Sequence, residues 1–489
     1  MRPWKWEFKR DMSVLVNDCF GQNYLKFVEH FAYLSENGSQ DLYWDADEAK
    51  KISDYFVSCI LNDAGYFRTR AERINSRGKK LGTFALSLNR SFDRADDRDL
   101  LRAYRHYVRL FESAAYYVLW IRVIIDQGPL RLQRLLAAKT KNLPASLSCL
   151  TATGKKSFMV QEEESLLDLA RTVRENKKAE TLFHKPTDVT LRELPTNLSL
   201  WKKVLRHHAR FLWTPVGYAD EPAWTLLDRV SALKKAVAQN PEDRWTALKT
   251  YPQVLEKKQR DFLAASKLDS KTRRLAKALS DCVYYKDYLR GVMNKAQYDS
   301  RPLFEQLAKR LGLSLKQVKT FLPDELERAL MEKSWNLRIF DRLSHYVCFP
   351  KNRKLVFSNG ADALALEKEI RNVFEKGVAS ELKGHGAMEG RVQGTVRIVS
   401  NPSSVHRHDH GFVLVTSMTT PDFVPVIKRA LAVVTDEGGI TCHAAIACRE
   451  LGVPCVVGTK KATRSFKDGE VICVDGSTGW VRKVRMNRP

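Results

Sequence analysis

Apolar residues recur at intervals of three and four through most of the first ~375 positions. Leu100 to Ile125, Ser165 to Asn176, Leu200 to Leu212, Ala223 to Gln239, Pro302 to Leu313, Ser314 to Lys333 and Asp362 to Lys376 all carry that spacing. It lines one face of an α-helix with core-forming side chains. Within the sixth stretch, Leu322-Pro323-Asp324 marks a break and a fresh helix start. Leu143-Pro144, Lys185-Pro186-Thr187 and Leu194-Pro195-Thr196 make 140–198 the expected irregular or subdomain-crossing stretch. No fixed-period repeat of the solenoid kind is visible.

The pattern changes after residue 380. Short β-branched runs replace the helical spacing: Val396-Arg397-Ile398-Val399, Phe412-Val413-Leu414-Val415, Ala432-Val433-Val434-Thr435, Val456-Val457 and Val471-Ile472-Cys473-Val474. Twelve of the 24 glycines fall in residues 381–489, which shortens the turns available between those runs. Apolar strands alternating with turns and helices predict a compact α/β domain.

Composition narrows the setting. A 489-residue chain that is 44% hydrophobic has a core and is not wholly disordered. Its length suggests about two to four domains. None of the nine cysteines forms a CxxC pair, so neither a disulfide framework nor a structural zinc site is expected, and a reducing cytoplasm is the simplest location. The most apolar helical stretch, Ala114 to Ile125, contains Arg122 and falls short of the roughly 20 residues of a membrane span. Met1-Arg2-Pro3-Trp4-Lys5 leads into charged residues, not a secretory signal. Net charge is +25, of which +20 lies in the first 380 residues. Solvated helix faces account for such charge, and an anion-attracting cleft is the functional alternative. No zinc-finger or RNP motif accompanies the basic half, so nucleic acid is not the expected partner.

The segment richest in chemistry runs from Val434 to Thr459. A strand ends at Thr435, Gly438-Gly439 makes a tight turn, and a helix starts near His443. Ala444, Ala445 and Ala447 allow close packing, Gly452 suits the helix C-terminus and Pro454 prevents continuation. An imidazole at a helix N-terminus meets unpaired N–H groups and the positive end of the helix dipole, a setting that receives an anion. Thr441 could add a hydroxyl donor or cap the helix. A neutral imidazole is also a nucleophile that forms covalent intermediates. A capping histidine with no chemistry satisfies the same spacing.

Gly438-Gly439-Ile440-Thr441-Cys442-His443-Ala444-Ala445, followed by Arg449-Glu450-Leu451-Gly452-Val453-Pro454, resembles the phosphohistidine or swivelling domain of the phosphoenolpyruvate-utilising family. That family includes pyruvate phosphate dikinase, phosphoenolpyruvate synthase and the rifamycin phosphotransferases. Gly384, Gly386, Gly390 and Gly394, Thr420-Pro421-Asp422-Phe423, Asp468-Gly469 and Asp475-Gly476 extend the likeness over about 105 residues. Leu313-Ser314-Leu315 with Leu322-Pro323-Asp324-Glu325-Leu326 is loosely similar to the helical part of rifamycin-phosphotransferase-like proteins. The resemblance implies a large all-α region over 1–376 that binds a phosphoryl acceptor, a hinge at 377–390 and a swivelling β/β/α domain over 391–486. It implies His443 as phosphoryl carrier, with Gly438, Gly439, Thr441 and Arg449 supporting the phosphoryl group.

Full-length members of the family also carry an ATP-grasp module. Residues 1–350 lack its glycine-containing phosphate loops, and no GxxxxGK[ST] occurs. The resemblance therefore implies that a separate ATP-grasp partner binds ATP and Mg²⁺ and loads His443, and that this chain alone binds no cofactor. A small-molecule acceptor would sit in the helical part, where His207 and His208, flanked by Arg206 and Arg210, are candidate acceptor-site groups. His406, His408 and His410 alternate along the chain but read as a polar loop, so no metal is expected.

Overall fold

A computed structural model describes residues 4–484, apart from 37–38, 141, 218–221, 376–380, 400–404, 406–408, 420–422 and 440–441. Each of the seven stretches with helical spacing lies on helix, its ends shifted by a few residues. The longest helix, Asp97–Leu136, starts where the Asp96 carboxylate accepts the Asp99 N–H at 2.7 Å. It buries Leu100, Tyr104, Phe111, Trp120, Ile124 and Leu132 along one side. Helices Ala46–Asn62, Tyr66–Ser87 and Ser270–Asp299 pack around it. Each fully buried large apolar side chain in this core contributes about 1.5–3 kcal/mol.

The N-terminal region is predominantly helical, but it also carries a five-stranded antiparallel sheet that the periodicity did not reveal. Strands β1 (Trp4–Asp11), β2 (Phe31–Glu36), β3 (Ser39–Asp45), β4 (His345–Lys351) and β5 (Lys354–Asn359) lie in the order β1-β3-β2-β4-β5. Tyr33 and Trp44 face the main helical core, while Leu34, Tyr43 and Val347 face helix Ala361–Glu375 on the other side. Burial on both faces removes the alternation that marks a half-exposed strand.

A second helical core is separate from the first. It gathers Leu167, Ala170, Phe183, Leu200, Val204, Val230 and Leu233 from helices between Phe158 and Ala238. The stretch 140–198 is therefore mostly regular helix, and the chain returns to the first core along helix Pro241–Ala265. Among the described residues no helix is long and apolar enough to cross a membrane.

The C-terminal region is a mixed eight-stranded sheet. Its strands are β6 (Glu381–Lys383), β7 (His385–Met388), β8 (Arg391–Ile398), β9 (Phe412–Thr416), β10 (Ala430–Thr435), β11 (Cys455–Val457), β12 (Val471–Asp475) and β13 (Trp480–Lys483). They follow the order β6-β13-β12-β8-β9-β10-β11-β7, with β8, β9, β10 and β11 parallel. β6 and β7 are separated by Gly384 alone yet occupy opposite edges. One residue spans only about 3.8 Å, so the sheet curls until its edges meet. Close approach there demands missing side chains: a Cβ on Gly386 would lie 2.2 Å from the Gly476 carbonyl oxygen. Glu381–Lys383 and His385–Met388, within the span 377–390 expected as a hinge, are thus strands of the sheet. Residues 376–380 lie outside the described residues.

Candidate active site

The parallel strands β9 and β10 end side by side, and their loops build the site. Thr416 O accepts the Asp436 N–H at 3.1 Å and Ser417 O accepts the Glu437 N–H at 2.8 Å. These bonds lock the 416–419 loop to the 436–439 turn. Cys442 N–H closes that turn onto Gly439 O at 2.9 Å. Gly438 adopts φ +106°, and a Cβ there would lie 2.6 Å from Cys442 Sγ, so the turn tolerates only glycine. Gly439 has open space around it.

Helix His443–Leu451 then begins, with Cys442 as its extended N-cap. Ala444, Ala445, Ala447 and Cys448 are buried against the sheet, and the helix stops at Gly452 in the left-handed conformation. His443 is thus its first residue, half-buried, at the positive end of the helix. The ring is oriented by a buried threonine from the neighbouring strand's loop: Thr419 Oγ1 lies 2.8 Å from His443 Nδ1. Burial pushes the Cys442 thiol above its ordinary range, against the opposing pull of the Ala445 and Ala444 N–H groups and the Lys286 charge. A thiol kept protonated by burial is a poor nucleophile.

Beneath the turn, Asp436 is buried and acts as a staple. Its carboxylate accepts the Thr463 N–H at 3.1 Å and the Thr463 hydroxyl, while its carbonyl accepts Lys460 N–H at 2.9 Å. Burial raises its pKa, and those donors counteract the rise.

Of the groups expected to support a phosphoryl group, Gly438 and Gly439 form the turn that sets His443. Thr441 lies outside the described residues. Arg449 Nε donates to the Ala387 carbonyl of β7 at 2.8 Å, which ties the end of the helix to the sheet edge. His207 lies in the second helical core. It is 4% exposed, with Nδ1 2.9 Å from Ser165 Oγ and the ring against Phe211. Burial first, then Arg229, His208 and Arg210, push its pKa down to about 3. His208 is half-buried beside it and its pKa is also lowered, mainly by burial. The structure places His207 in the apolar stripe of Leu200, Val204 and Phe211, and His208 half-buried next to it.

His406 and His408 lie outside the described residues. Glu29, His30 and Glu48 come together elsewhere. There Glu48 Oε1 pairs with the His30 ring, and Oε2 accepts the Glu29 and His30 N–H groups at 2.8 and 3.1 Å. These contacts make the cluster a clamp between a loop and helix Ala46–Asn62. The sequence reading missed Thr419 and Asp436, which hold the site from neighbouring loops.

The Lys286 charge reaches Cys442, and the Glu450 charge reaches Arg244 and Tyr251. Arg464, next to the Asp436 staple, donates to the Tyr43 hydroxyl of β3 at 3.0 Å.

Residues 408–479 match the family described as PEP-utilising enzyme, mobile domain. A probable phosphoenolpyruvate synthase of Archaeoglobus fulgidus is 54% identical over 107 residues, 22% of this chain and 14% of that protein. The phosphoenolpyruvate synthase of Pyrococcus furiosus is 54% identical over 119 residues, 24% of this chain and 14% of its own length. That of Escherichia coli is 52% identical over 91 residues, 18% of this chain and 12% of its own. The matched segment spans about one seventh of these curated relatives. Glycine turn, helix-terminal histidine and family match coincide, and the C-terminal region of this chain is a PEP-utilising enzyme mobile domain, the phosphohistidine domain of that family.

Proposed function

We propose that this chain is the carrier and acceptor part of a split phosphotransferase. A separate ATP-grasp protein, binding ATP and Mg²⁺, loads His443. The C-terminal domain then moves and delivers the phosphoryl group to a small-molecule acceptor held by the helical region. The observation that carries this reading is the half-exposed imidazole of His443 at a helix N-terminus, with Nδ1 held by Thr419.

Nδ1 tied to Thr419 makes Nε2 the attacking atom. An N–P bond forms as the P–O bond to the nucleotide breaks, and the nucleotide leaves with the electron pair. In the second step an acceptor oxygen attacks phosphorus, the N–P bond breaks and the acceptor's proton passes to a base. Catalysis in both steps is positioning and charge stabilisation of the transferring group. The helix N–H groups serve the phosphoryl oxygens. Helices Pro241–Ala265 and Ser270–Asp299 are the proposed acceptor side, because the Glu450 charge acts on Arg244 and Tyr251 of the first and the Lys286 charge of the second acts on Cys442.

Incubation with a candidate ATP-grasp partner and phosphate-labelled ATP tests this. Label is expected on the native chain and none on His443→Ala. Label that persists on His443→Ala overturns the assignment. Label taken from ATP by the isolated chain overturns the need for a partner.

A further inference from the structure

We propose a second anion site, a trough that binds a linear chain of phosphate groups, on the helical region away from His443. Arg98, Arg102, Arg105 and Arg109 succeed one another on helix Asp97–Leu136 at intervals of four, three and four residues. That spacing puts all four on one face, over a length of about 16 Å. All four are exposed. With Leu101, and with Glu327 and Met331 of helix Pro323–Glu332, they line a cavity of 360 Å³.

The charge of this trough is not balanced. Arg105 pairs with Glu327, and Arg102 with Asp99 at 3.2 Å. Arg98 and Arg109, at its two ends, have no carboxylate partner among the described residues; Arg109 Nε reaches only the Arg105 carbonyl, at 3.3 Å. Two uncompensated guanidiniums so far apart are not satisfied by one small anion. They call for a ligand with anionic groups along its length. Guanidinium matches phosphate oxygens in a two-pronged fashion, and every cation lining the trough is an arginine.

Shape selects among polyanions. The four guanidiniums follow one another in a line along the helix, which suits a phosphate chain laid lengthwise. No aromatic ring is among the lining residues, whereas single-stranded nucleic acid is held by base stacking on such rings. The occupant is therefore inorganic polyphosphate, or the phosphate tail of a molecule that carries several phosphates in series.

The test is fluorescence anisotropy of the full chain with a short labelled inorganic polyphosphate at two salt concentrations. Tripolyphosphate, orthophosphate, poly-glutamate and a single-stranded RNA serve as competitors. Binding is expected to weaken steeply with salt and to fall at least about tenfold in the double variant Arg98→Gln/Arg109→Gln. An equal charge change elsewhere, Lys202→Gln/Lys203→Gln, is expected to leave it unchanged, and Arg98→Lys/Arg109→Lys to retain part of it. Tripolyphosphate is expected to compete, which supports a site read through serial phosphates; a nucleoside triphosphate competing better than tripolyphosphate assigns the tail of such a molecule. Equal losses in the two Gln variants overturn the site. Orthophosphate competing as well as tripolyphosphate means an adventitious ion only. Poly-glutamate or RNA competing as well as polyphosphate overturns the ligand class. Phosphorylation of His443 is measured in parallel and is expected to be unaffected.

Discussion

Thr419 Oγ1 lies 2.8 Å from His443 Nδ1 and is buried, so a hydroxyl from the loop after β9 fixes the ring at the end of β10. Removing that hydroxyl frees the imidazole to rotate and removes one net hydrogen bond, about 1 kcal/mol. Thr419→Val is expected to slow phosphorylation of His443 by roughly fivefold to tenfold, and Thr419→Ser to retain most of the rate. Single-turnover labelling with a competent donor measures this. Equal rates for Thr419→Val and the native chain would mean that the contact does not position the ring.

Gly438 joins a backbone conformation at φ +106° to a Sγ atom 2.6 Å from where a Cβ would stand. Gly438→Ala is expected to destabilise the C-terminal domain by about 1–3 kcal/mol and to impair phosphorylation. Cys442→Ala in the same chain removes the clash but not the strained φ, so it is expected to restore part of the stability and not all. Thermal unfolding of the three variants decides it. Full rescue would assign the whole defect to the sulfur contact.

His207 makes stability depend on acid. Its pKa is about 3 in the folded chain against 6.5 ordinarily, so below about pH 6.5 the unfolded chain takes up a proton that the folded chain refuses. Stability is fully present above 6.5 and is lost as pH falls toward 3. Between pH 7 and pH 5 the loss is roughly 2 kcal/mol. Urea unfolding of His207→Gln should show that much less dependence over the same interval, and an unchanged dependence would place the ring in contact with water.

Asp18 acts in the opposite sense. Burial, aided by Glu112, Asp324 and Glu325 and opposed by a hydrogen bond from Gln22, raises its pKa from 3.8 to about 6. As pH rises from about 4 to 6 the unfolded chain releases a proton that the folded chain retains, so stability falls. Asp18→Asn is expected to be more stable than the native chain at pH 7.5 by about 1–3 kcal/mol and to gain nothing at pH 4. A gain of equal size at both pH values would assign it to something other than ionisation.

The parts of this structure that could be read from the chain are those with a local signature. The helical spacing of Leu100 to Ile125 and the apolar runs around Val413 and Val433 became the expected elements, and Gly438-Gly439 with His443 became the turn and helix start. The sheet pairing Tyr33 with Cys348 was hidden twice over. Its central strands are apolar on both faces, and their partners lie at opposite ends of the helical region. Thr419 stands 24 residues from His443, and only the parallel pairing of β9 with β10 brings the two together. The burial of His207 was legible in part: Arg206 and Arg210 beside it mark a polar face, while Val204 and Phe211 at three- and four-residue offsets mark the core.

The central claim is that His443 accepts and gives up a phosphoryl group. Intact-mass measurement of the full chain under non-acidic conditions, after incubation with ATP and an ATP-grasp partner, tests it most directly. We expect a mass increase of one phosphoryl group that disappears on acid treatment, as a phosphorus–nitrogen bond requires, and that is absent from His443→Ala. A competent donor that never adds the phosphoryl group, or an adduct that survives acid or maps to another residue, would contradict the account.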